Sequence, residues 1–274
     1  MNYAIYDSLH IALLLALFVL LASFEATRPR RKLGQPRPGR WFGNVSLAVV
    51  NYLLIRAVLG GASFAAAEYA SERGWGFLND VNLGWPVEFV AGLLFLDLMV
   101  YLQHVLTHAL PFLWRFHMPH HSDLDLDVTT ALRFHPVDVF ISIVYRIGVV
   151  AASGISPWTV LVYELVYCAA LLFAHSNVKL FPNADAGLRN VIVTPDFHRV
   201  HHSVEPDETR SNFGFVFSWW DKLLGTYREA PMMPHNLMQL GLEDYRQPAG
   251  LTLPDLFAMP LRPKLGDYSF RKSE

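Results

Sequence analysis

Histidines dominate the chemistry that this sequence offers. Of its 12 histidines, eight lie in three short clusters, an HxxxH pair at positions 104 and 108 and two HxxHH motifs at positions 117–121 and 198–202. On a helix, residues three or four positions apart lie on one face, so each cluster is expected to direct its imidazoles to a common point. Because imidazole is a ligand for zinc, copper, iron and nickel, the clusters predict a metal site.

Ten of the histidines are predicted metal ligands. They are the eight clustered residues and two single ones: His104, His108, His117, His120, His121, His135, His175, His198, His201 and His202. This number exceeds the four positions of a tetrahedral zinc site and suits two metals of higher coordination number, each with a position open for a reactant. The alternative that needs no metal is a cationic, pH-sensitive surface patch. For His10 and His235, which have no clustered neighbours, we expect ordinary hydrogen-bonded or surface roles.

Motifs of several other metalloenzyme classes are missing from the sequence. No Glu stands three residues before a histidine, as it does in carboxylate-rich di-iron bundles. The HExxH motif of zinc proteases is absent, and a CxxC zinc site is excluded because Cys168 is the single cysteine. The chemistry that remains is oxygen activation at a histidine-rich di-iron centre.

Membrane helices are the elements that must position these histidines. Apolar residues make up 53% of the chain and charged residues 17%, and the mean hydropathy is +0.26. Soluble domains carry about 25% charged residues, so this composition is typical of a membrane protein. The formal net charge of -2 provides no basic excess, and a nucleic-acid partner is therefore disfavoured.

The first half of the sequence predicts three membrane spans. An apolar run between Asp7 and Glu25 is the first, with a cleaved signal peptide as the competing interpretation. The basic residues of segment 28–40 follow it and place that segment on the cytoplasmic side, so the N-terminus should face out. The second span covers Trp41 to Ala67, the polar stretch from Glu68 to Trp85 is expected to be an external loop, and the third span runs from Pro86 to Arg115.

The segment from Val139 to Val178 predicts two further membrane-embedded helices. It is apolar, and Gly154 and Pro157 near its middle indicate a turn. Such a hairpin enters the membrane and returns to the same side, so the three histidine clusters are expected at its cytoplasmic edge. Sequence-distant clusters at one depth can then meet.

The two HxxHH motifs differ in their local helix signals. For the second motif, Thr194 is a suitable helix cap and Pro195 a suitable first helical residue. In the first motif, Pro119 lies between His117 and His120 and would interrupt helical hydrogen bonding. We therefore expect a helix that begins near Pro119, with His117 on the preceding turn.

Two polar residues share a helical stripe with the HxxxH pair. Asp97, Tyr101, His104 and His108 are separated by 4, 3 and 4 positions, which places them on one face of a helix. Asp97 and Tyr101 are therefore predicted to hydrogen-bond to ligand imidazoles, with an ordinary interior role as the alternative.

The motifs together resemble the sterol desaturase/fatty acid hydroxylase superfamily of integral-membrane di-iron oxygenases. The resemblance runs through DLMVYLQHVLTHALPFLWRFHMPHHS, LDVTTALRFHPVD, FAHSNV, TPDFHRVHHS and NFGFVFSWWDKLLGTY, roughly residues 97 to 227. It implies that the eight clustered histidines bind two irons, for which zinc can substitute in purified protein. His135 and His175 match positions that vary more among branches of the family.

The resemblance also implies a reaction and its reactants. O2 and two electrons would be used to hydroxylate or desaturate a C–H bond of a membrane lipid. No heme-type segment is evident, so the electrons would come from a separate donor, similar to cytochrome b5, a ferredoxin or a reductase. Candidates for lining the lipid's path are Trp114, Phe116 and Phe134, although aromatic residues at membrane edges also serve as anchors. The motif WWDKLLGTY, with Asp221, Gly225 and Thr226, indicates a structural turn near the metals.

The sequence thus predicts an all-α integral membrane protein with about four to five membrane-embedded helices and a cytosolic histidine-rich cap. We expect N-terminal membrane helices over residues 1–85, the di-metal domain over 86–230 and a cytosolic tail over 231–274. Two other functions stay open: a zinc-dependent membrane lipid hydrolase or isomerase, and a non-catalytic membrane metalloprotein. A bacterial cytoplasmic membrane is the favoured location, and the endoplasmic reticulum is the alternative in a eukaryote.

Overall fold

The computed structural model describes residues 3–59, 61–81, 84–247 and 251–268. Within these ranges the chain is helical, and β-structure is confined to three isolated bridges. The α-helices are α1 Tyr3–Thr27, α2 Arg37–Leu59, α3 Ala62–Arg73, α4 Trp85–Ala109, α5 Pro111–His121, α6 Pro136–Ser153, α7 Pro157–His175, α8 Pro182–Leu188, α9 Pro195–His201, α10 Pro206–Thr209, α11 Trp219–Leu224 and α12 Leu253–Ala258. The all-α prediction is confirmed.

In the described part of the chain, five segments are long and apolar enough to cross a membrane. They are Ser8–Thr27, Arg37–Arg73, Trp85–Ala109, Pro136–Ser153 and Pro157–His175. Large apolar side chains are exposed along these segments, including Leu15, Val19 and Leu53, each about 60% exposed. Such exposure suits a lipid-facing surface and agrees with the predicted four to five embedded helices.

The two helices and the turn predicted for residues 139–178 are confirmed, as α6, α7 and the turn between them. Gly154 ends α6 in the left-handed conformation with φ 72°. Ser156 caps α7 by accepting a hydrogen bond from the Thr159 backbone, and Pro157 is the first residue of α7. A Cβ atom at Gly154 would lie 2.4 Å from the Trp75 carbonyl, so only glycine fits this close approach.

The external loop was expected to begin at Glu68, but in the structure the helix before it continues to Arg73. The chain is helical through Arg73, because the small residues Ser63, Ala67 and Ala70 form a buried face on α3. That face packs against α6 and α7. Small side chains let helices approach closely in a membrane, and the charges of Glu68 and Glu72 mask this feature in the sequence.

The third span differs from its expected form at its far end. It ends at Ala109 instead of continuing to Arg115, because Leu110 before Pro111 is extended, with φ -101° and ψ 115°. A proline disfavours the helical conformation in the residue before it. The expected helix start near Pro119 is also wrong, since α5 already begins at Pro111 and contains Pro119 in its last turn. One lost hydrogen bond this close to the helix end is tolerated.

The basic segment between α1 and α2, together with the first turn of α2, is bound to the histidine-bearing part of the fold. Arg30 Nε donates to both carboxylate oxygens of Asp196, at 2.8 and 3.0 Å. Arg40 forms ion pairs with Asp123, at 2.9 Å, and with Asp127, and all three side chains are buried. The segment therefore fixes the chain that follows the first HxxHH motif as well as the helix that carries the second.

Candidate metal centre

Nine of the ten predicted ligands converge in two buried groups. Within each group, one ring nitrogen from every residue lies within 4.8 Å of the others. The five-histidine group consists of His104, His108, His117, His121 and His201, and the four-histidine group of His120, His175, His198 and His202. The described residues therefore contain two sites of a kind that can each hold a metal ion.

Each HxxHH motif contributes to both groups. Members four positions apart share a group: His117 and His121 belong to the five-histidine group, and His198 and His202 to the four-histidine group. The middle histidine of each motif, three residues after the first, is His120 or His201, and it joins the opposite group. Successive helical residues point about 100° apart, so adjacent histidines cannot share one point. The expectation of one common point holds for the HxxxH pair, and both HxxHH motifs depart from it.

Two backbone carbonyls fix the direction of the ring nitrogens in the five-histidine group. His104 Nδ1 lies 2.8 Å from the Phe213 carbonyl, and His201 Nδ1 lies 2.8 Å from the Ser211 carbonyl. Each Nδ1 must donate a proton to its carbonyl, so in the neutral rings both Nε2 atoms carry lone pairs. These Nε2 atoms are 3.1 Å apart. Two lone pairs at this distance repel unless a cation binds both.

The distance itself suits metal ligation. Nitrogens bound to one ion at about 2.0–2.1 Å are separated by about 3 Å when they subtend a right angle. In the four-histidine group, His175 Nδ1 lies 2.8 Å from the Leu171 carbonyl, which leaves its Nε2 as a lone pair. That Nε2 is 3.1 Å from the Nε2 atoms of His120 and His198 and 3.2 Å from that of His202. Both groups thus fit a metal ion.

Several other ring nitrogens in the two groups lack any partner. Among the described residues, the buried nitrogens without a hydrogen bond include His108 Nδ1 and Nε2, His117 Nε2, His120 Nδ1, His121 Nε2, His198 Nδ1 and His202 Nδ1. A buried polar atom left unsatisfied costs about 1–3 kcal/mol. Metal ligation removes this cost for the nitrogens of His108, His117 and His121 that face the ion, which is the second reason why the five-histidine group fits a metal.

Burial keeps these imidazoles neutral. Burial, with the neighbouring imidazoles His117 and His175 adding to it, lowers the pKa of His201 to about 3, against the opposing effect of the Ser211 carbonyl. Burial likewise holds the pKa values of His120, His121 and His198 well below the usual range. The neutral imidazole is the form that binds a metal, so the site is prepared for ligation at neutral pH.

Asp138 supplies the carboxylate partner that the sequence analysis did not identify. Its Oδ2 lies 2.8 Å from His117 Nδ1. A proton held between these atoms leaves His117 Nε2, which is buried and unpartnered, free to face the five-histidine group. Carboxylates in this position orient a ligand imidazole and raise its basicity. The signal in the sequence is a carboxylate in the first turn of a helix that begins at Pro136, directly after RFH.

Asp97 and Tyr101 contact the segment that supports the ligands instead of the ligands themselves. Asp97 accepts hydrogen bonds from the Tyr163 hydroxyl, the Phe217 backbone and the Trp220 indole, at 3.1, 3.1 and 2.9 Å. The Tyr101 hydroxyl lies 2.7 Å from Thr226 Oγ1. Neither residue shows a hydrogen bond to an imidazole in the described structure. Both hold the chain around residues 213–226, and the Phe213 carbonyl of that chain orients His104.

Asp221 lies within residues 213–226 and holds this segment together, in agreement with the predicted structural turn. Its carboxylate accepts from the backbone of Phe213 and Gly214, at 2.7 and 2.8 Å, and from the Thr226 hydroxyl at 2.6 Å. Burial raises the pKa of Asp221 to about 6, although these hydrogen bonds oppose the rise. Gly225 ends α11 with φ 79°, in the left-handed region.

Comparison with known proteins identifies the family. Residues 89–226, half of the chain, match the fatty acid hydroxylase family. This chain belongs to that family. It is 29% identical over 228 residues to the ornithine lipid hydroxylase OlsE of Rhizobium tropici, covering 79% of this chain and 66% of OlsE. It is 30% identical over 155 residues to the alkylglycerol monooxygenase of Caenorhabditis elegans, covering 56% of this chain and 30% of that enzyme.

A third relative extends the range of reactions within the family. The Delta(7)-sterol 5(6)-desaturase ERG3B of Gibberella zeae is 24% identical over 202 residues, which is 68% of this chain and 54% of that enzyme. No solved structure matches the chain. The chain spans about two thirds of OlsE, about half of the desaturase and about a third of the alkylglycerol monooxygenase.

His135 lies outside both histidine groups of this fatty acid hydroxylase family member. It occupies the position before α6, where its Nδ1 accepts a hydrogen bond from the Val137 backbone at 3.2 Å. Its ring centroid is 5.5 Å from that of Phe116 and 6.0 Å from that of Phe257. In the described structure His135 caps the helix that carries Asp138.

The three aromatic residues predicted to line the lipid's path lie in different places. Phe134 stacks on His120, with ring centroids 4.1 Å apart, and lines a cavity of about 40 Å³. Trp114 is fully buried, packs 4.8 Å from the His108 ring, and donates its indole proton to the Leu265 carbonyl. Phe116 is partly exposed. Phe134 is thus the aromatic of the three that borders a cavity beside the ligands.

Proposed function

We propose that the protein is a membrane-bound di-iron oxygenase that hydroxylates or desaturates a C–H bond of a lipid. The observation that carries this proposal is the pair of adjacent, all-histidine groups whose lone pairs converge without a partner. The relatives support the same chemistry by their names, which are those of lipid hydroxylases, monooxygenases and desaturases. Membrane lipid and O2 are the proposed reactants.

Nine histidines are the proposed ligands, divided as the five-histidine and four-histidine groups. Two bound irons would supply the O2 activation, with two electrons from a separate donor protein. The chain's own residues prepare the site for them. The carbonyls of Phe213, Ser211 and Leu171 hold protons at the Nδ1 atoms of three ligands, and Asp138 is the proposed proton partner of a fourth, His117. Every proposed ligand is buried, so bulk water is kept from the metals.

We also propose that the histidine groups lie on the cytosolic side of the membrane. The support is the ion pair between Arg30 and Asp196, which joins the basic segment after α1 to the helix that carries the second HxxHH motif. Basic segments next to short membrane spans are retained in the cytoplasm. The bacterial origin of OlsE, which matches 79% of this chain, supports a bacterial cytoplasmic membrane.

Metal analysis of the full chain, purified in detergent without chelators, tests the proposal. The wild type should contain about two irons per chain, one for each histidine group. The variant His120→Ala/His201→Ala removes one ligand from each group and should lose most of the metal. His235→Ala is the matched control, because His235 lies outside both groups and is near Asp196 instead.

The outcomes separate the possible functions. Iron together with oxygen-dependent modification of host lipids supports the proposal. Bound zinc with oxygen-independent turnover, after iron has been offered to the metal-free protein, would favour a zinc hydrolase or isomerase instead. Absence of metal from the wild type would contradict both enzyme hypotheses.

A further inference from the structure

The 215–224 segment, which follows the second HxxHH motif, lies beside the middle of a membrane span. Asp97 is the central residue of the 25-residue helix α4, and it accepts hydrogen bonds from the Phe217 backbone and the Trp220 indole. One turn closer to the histidines, the Tyr101 hydroxyl lies 2.7 Å from Thr226 Oγ1. At 1.5 Å per residue, these two contacts lie about 18 Å and about 12 Å from the histidine-bearing end of α4.

The start of the segment packs between spanning helices. Phe215 and Val216 belong to a buried cluster that includes Ala67 of α3, Val100 of α4 and Tyr163 of α7. All three helices lie in candidate membrane spans. The segment is therefore part of the membrane-embedded packing, although it belongs to the chain that follows the last span.

The backbone of the segment meets the condition for lying in a bilayer. Non-helical backbone is tolerated at membrane depth only where protein satisfies its polar groups. The Val216 carbonyl accepts from the Val193 backbone at 3.0 Å, and the Ser218 backbone donates to the Val191 carbonyl at 3.1 Å. The Phe217 N–H is bound by the carboxylate in the middle of α4. An intramembrane carboxylate is costly and usually serves a function, and this one holds the segment in place.

The outer side of the segment is apolar and exposed. Leu223 is 72% exposed and Leu224 52%, and Val191 on the adjoining chain is 48% exposed. The hydrogen bond between Ser218 and Val191 joins the two stretches of chain. We call Leu223, Leu224 and Val191 the leucine face.

The charged residues next to the leucine face are satisfied by the protein itself. Lys222 Nζ donates to Asn190 Oδ1 at 2.7 Å and lies 4.9 Å from the centre of the Tyr227 ring. Asp221 is buried and accepts the backbone and hydroxyl hydrogen bonds described above. Neither side chain requires bulk water as its partner, so their charges are compatible with a lipid environment.

The depth of the leucine face indicates what covers it. Helix α4 is about 37 Å long and the hydrocarbon core of a bilayer is about 30 Å thick, which leaves an excess of about 7 Å. This excess is smaller than the 12 Å given above, so Asp97 and Tyr101 lie in the core even when all of it extends beyond the histidine end. Leu102 and Leu106 of α4, 36% and 45% exposed, already present an apolar surface near this level. A water-soluble partner would have to enter the bilayer to reach the leucine face.

We propose that the 215–224 segment is a re-entrant element, which enters the bilayer from the histidine side and whose leucine face is covered by the acyl chains of membrane lipids. This inference goes beyond the proposed function, because it requires the membrane spans but neither metal nor turnover. The element begins two residues after Phe213, whose carbonyl orients His104. Lipid therefore contacts the same stretch of chain that positions a proposed ligand.

Quenching of a fluorescent label by brominated lipid tests this contact. The full chain carries Cys168→Ala, which removes its single cysteine, and Leu223→Cys, which is labelled with a small thiol-reactive fluorophore. It is reconstituted into phosphatidylcholine vesicles with or without bromine on the acyl chains. We expect the label to be quenched about as strongly as one at Leu15, which is 60% exposed on the spanning helix α1.

Leu237→Cys in the same background is the matched control. Leu237 is 61% exposed, but it borders a cavity with the charged residues Glu205, Glu243 and Arg246. Its label should be quenched about fivefold less, because the headgroup layer separates it from the acyl chains. Leu224→Cys is the second position within the leucine face, and only variants with the Tm of the unlabelled chain are compared.

The outcomes decide between lipid and other occupants. Quenching at positions 223 and 224 that is as weak as at 237 would overturn the proposal. Weak quenching together with cross-linking of two chains through position 223 would identify a second copy as the occupant instead. Metal content separates this proposal from the proposed function: weak quenching in iron-loaded protein contradicts only the re-entrant element, and strong quenching in protein that binds no metal contradicts only the di-iron function.

Discussion

The five-histidine group and the four-histidine group have different surroundings. The first borders the cavity through His104 and His117 and has a carboxylate partner in Asp138. None of the four-histidine ligands is among the residues that line this cavity. One of them, His120, is covered by the ring of Phe134. The difference favours an approach of the proposed lipid substrate to the five-histidine group from this cavity.

Removing one ligand from each group tests whether the two groups are independent. His104→Ala and His175→Ala should each lower the iron content from about two to about one per chain. Both should reduce lipid turnover by at least about 100-fold, because an oxidant generated by two metals needs both. Metal analysis and a lipid product assay on each variant measure these effects. Loss of both metals from either single variant would show that the groups bind cooperatively.

Asp138→Asn tests the carboxylate that is particular to the five-histidine group. The amide cannot stabilise the positive charge that ligation places on His117, so metal affinity should fall by about 10-fold to 100-fold in this group alone. Competition with a chelator, followed by metal analysis, should show one weakly held and one firmly held ion. Asp185→Asn, which alters the ion pair between Asp185 in α8 and Arg189 directly after that helix, is the matched control. Equal weakening of both ions would remove the distinction between the groups.

Trp114→Phe is expected to have the smallest effect. Phenylalanine keeps a ring against His108 and His121 but loses the indole hydrogen bond to Leu265. Loss of this partly buried hydrogen bond should reduce the free energy of unfolding by about 0.5–1.5 kcal/mol, seen as a lower Tm. Metal content should stay the same as in the wild type. A loss of metal at unchanged Tm would mean that the indole acts on the ligands directly.

Features encoded over a few neighbouring residues could be predicted from the sequence. The turn at Gly154 and Pro157 and the cap at Thr194 follow from local backbone preferences, and the structure has both, with the Thr194 hydroxyl accepting from the Phe197 backbone. The division of each HxxHH motif between two groups also follows from the 100° step of a helix, although it requires two metals to be considered together.

Features that depend on tertiary contacts could not be predicted in this way. The backbone carbonyls of Phe213 and Ser211, which orient His104 and His201, cannot be identified from residue type, because every residue has a carbonyl. The partners of Asp97 are hidden in the sequence for the same reason: it shares the stripe with His104, but its hydrogen-bond donors come from residues 66 to 123 positions further along the chain. His135 has the residue type of a ligand and lies at a position that matches the family. In the structure, however, its Nδ1 accepts a hydrogen bond from the backbone of the first turn of α6.

The ion pair between Arg30 and Asp196 constrains the order in which parts of this protein can form during synthesis. The two residues are 166 positions apart, so Arg30 leaves the ribosome long before its partner exists. At about 5–20 residues per second this interval is roughly 8–33 seconds. During it, Arg40 likewise waits for Asp123 and Asp127, and the first HxxHH motif is synthesised without the second. The two histidine groups can therefore be completed only when synthesis has passed His202, so the proposed metal loading would be a late event in the assembly of the fold.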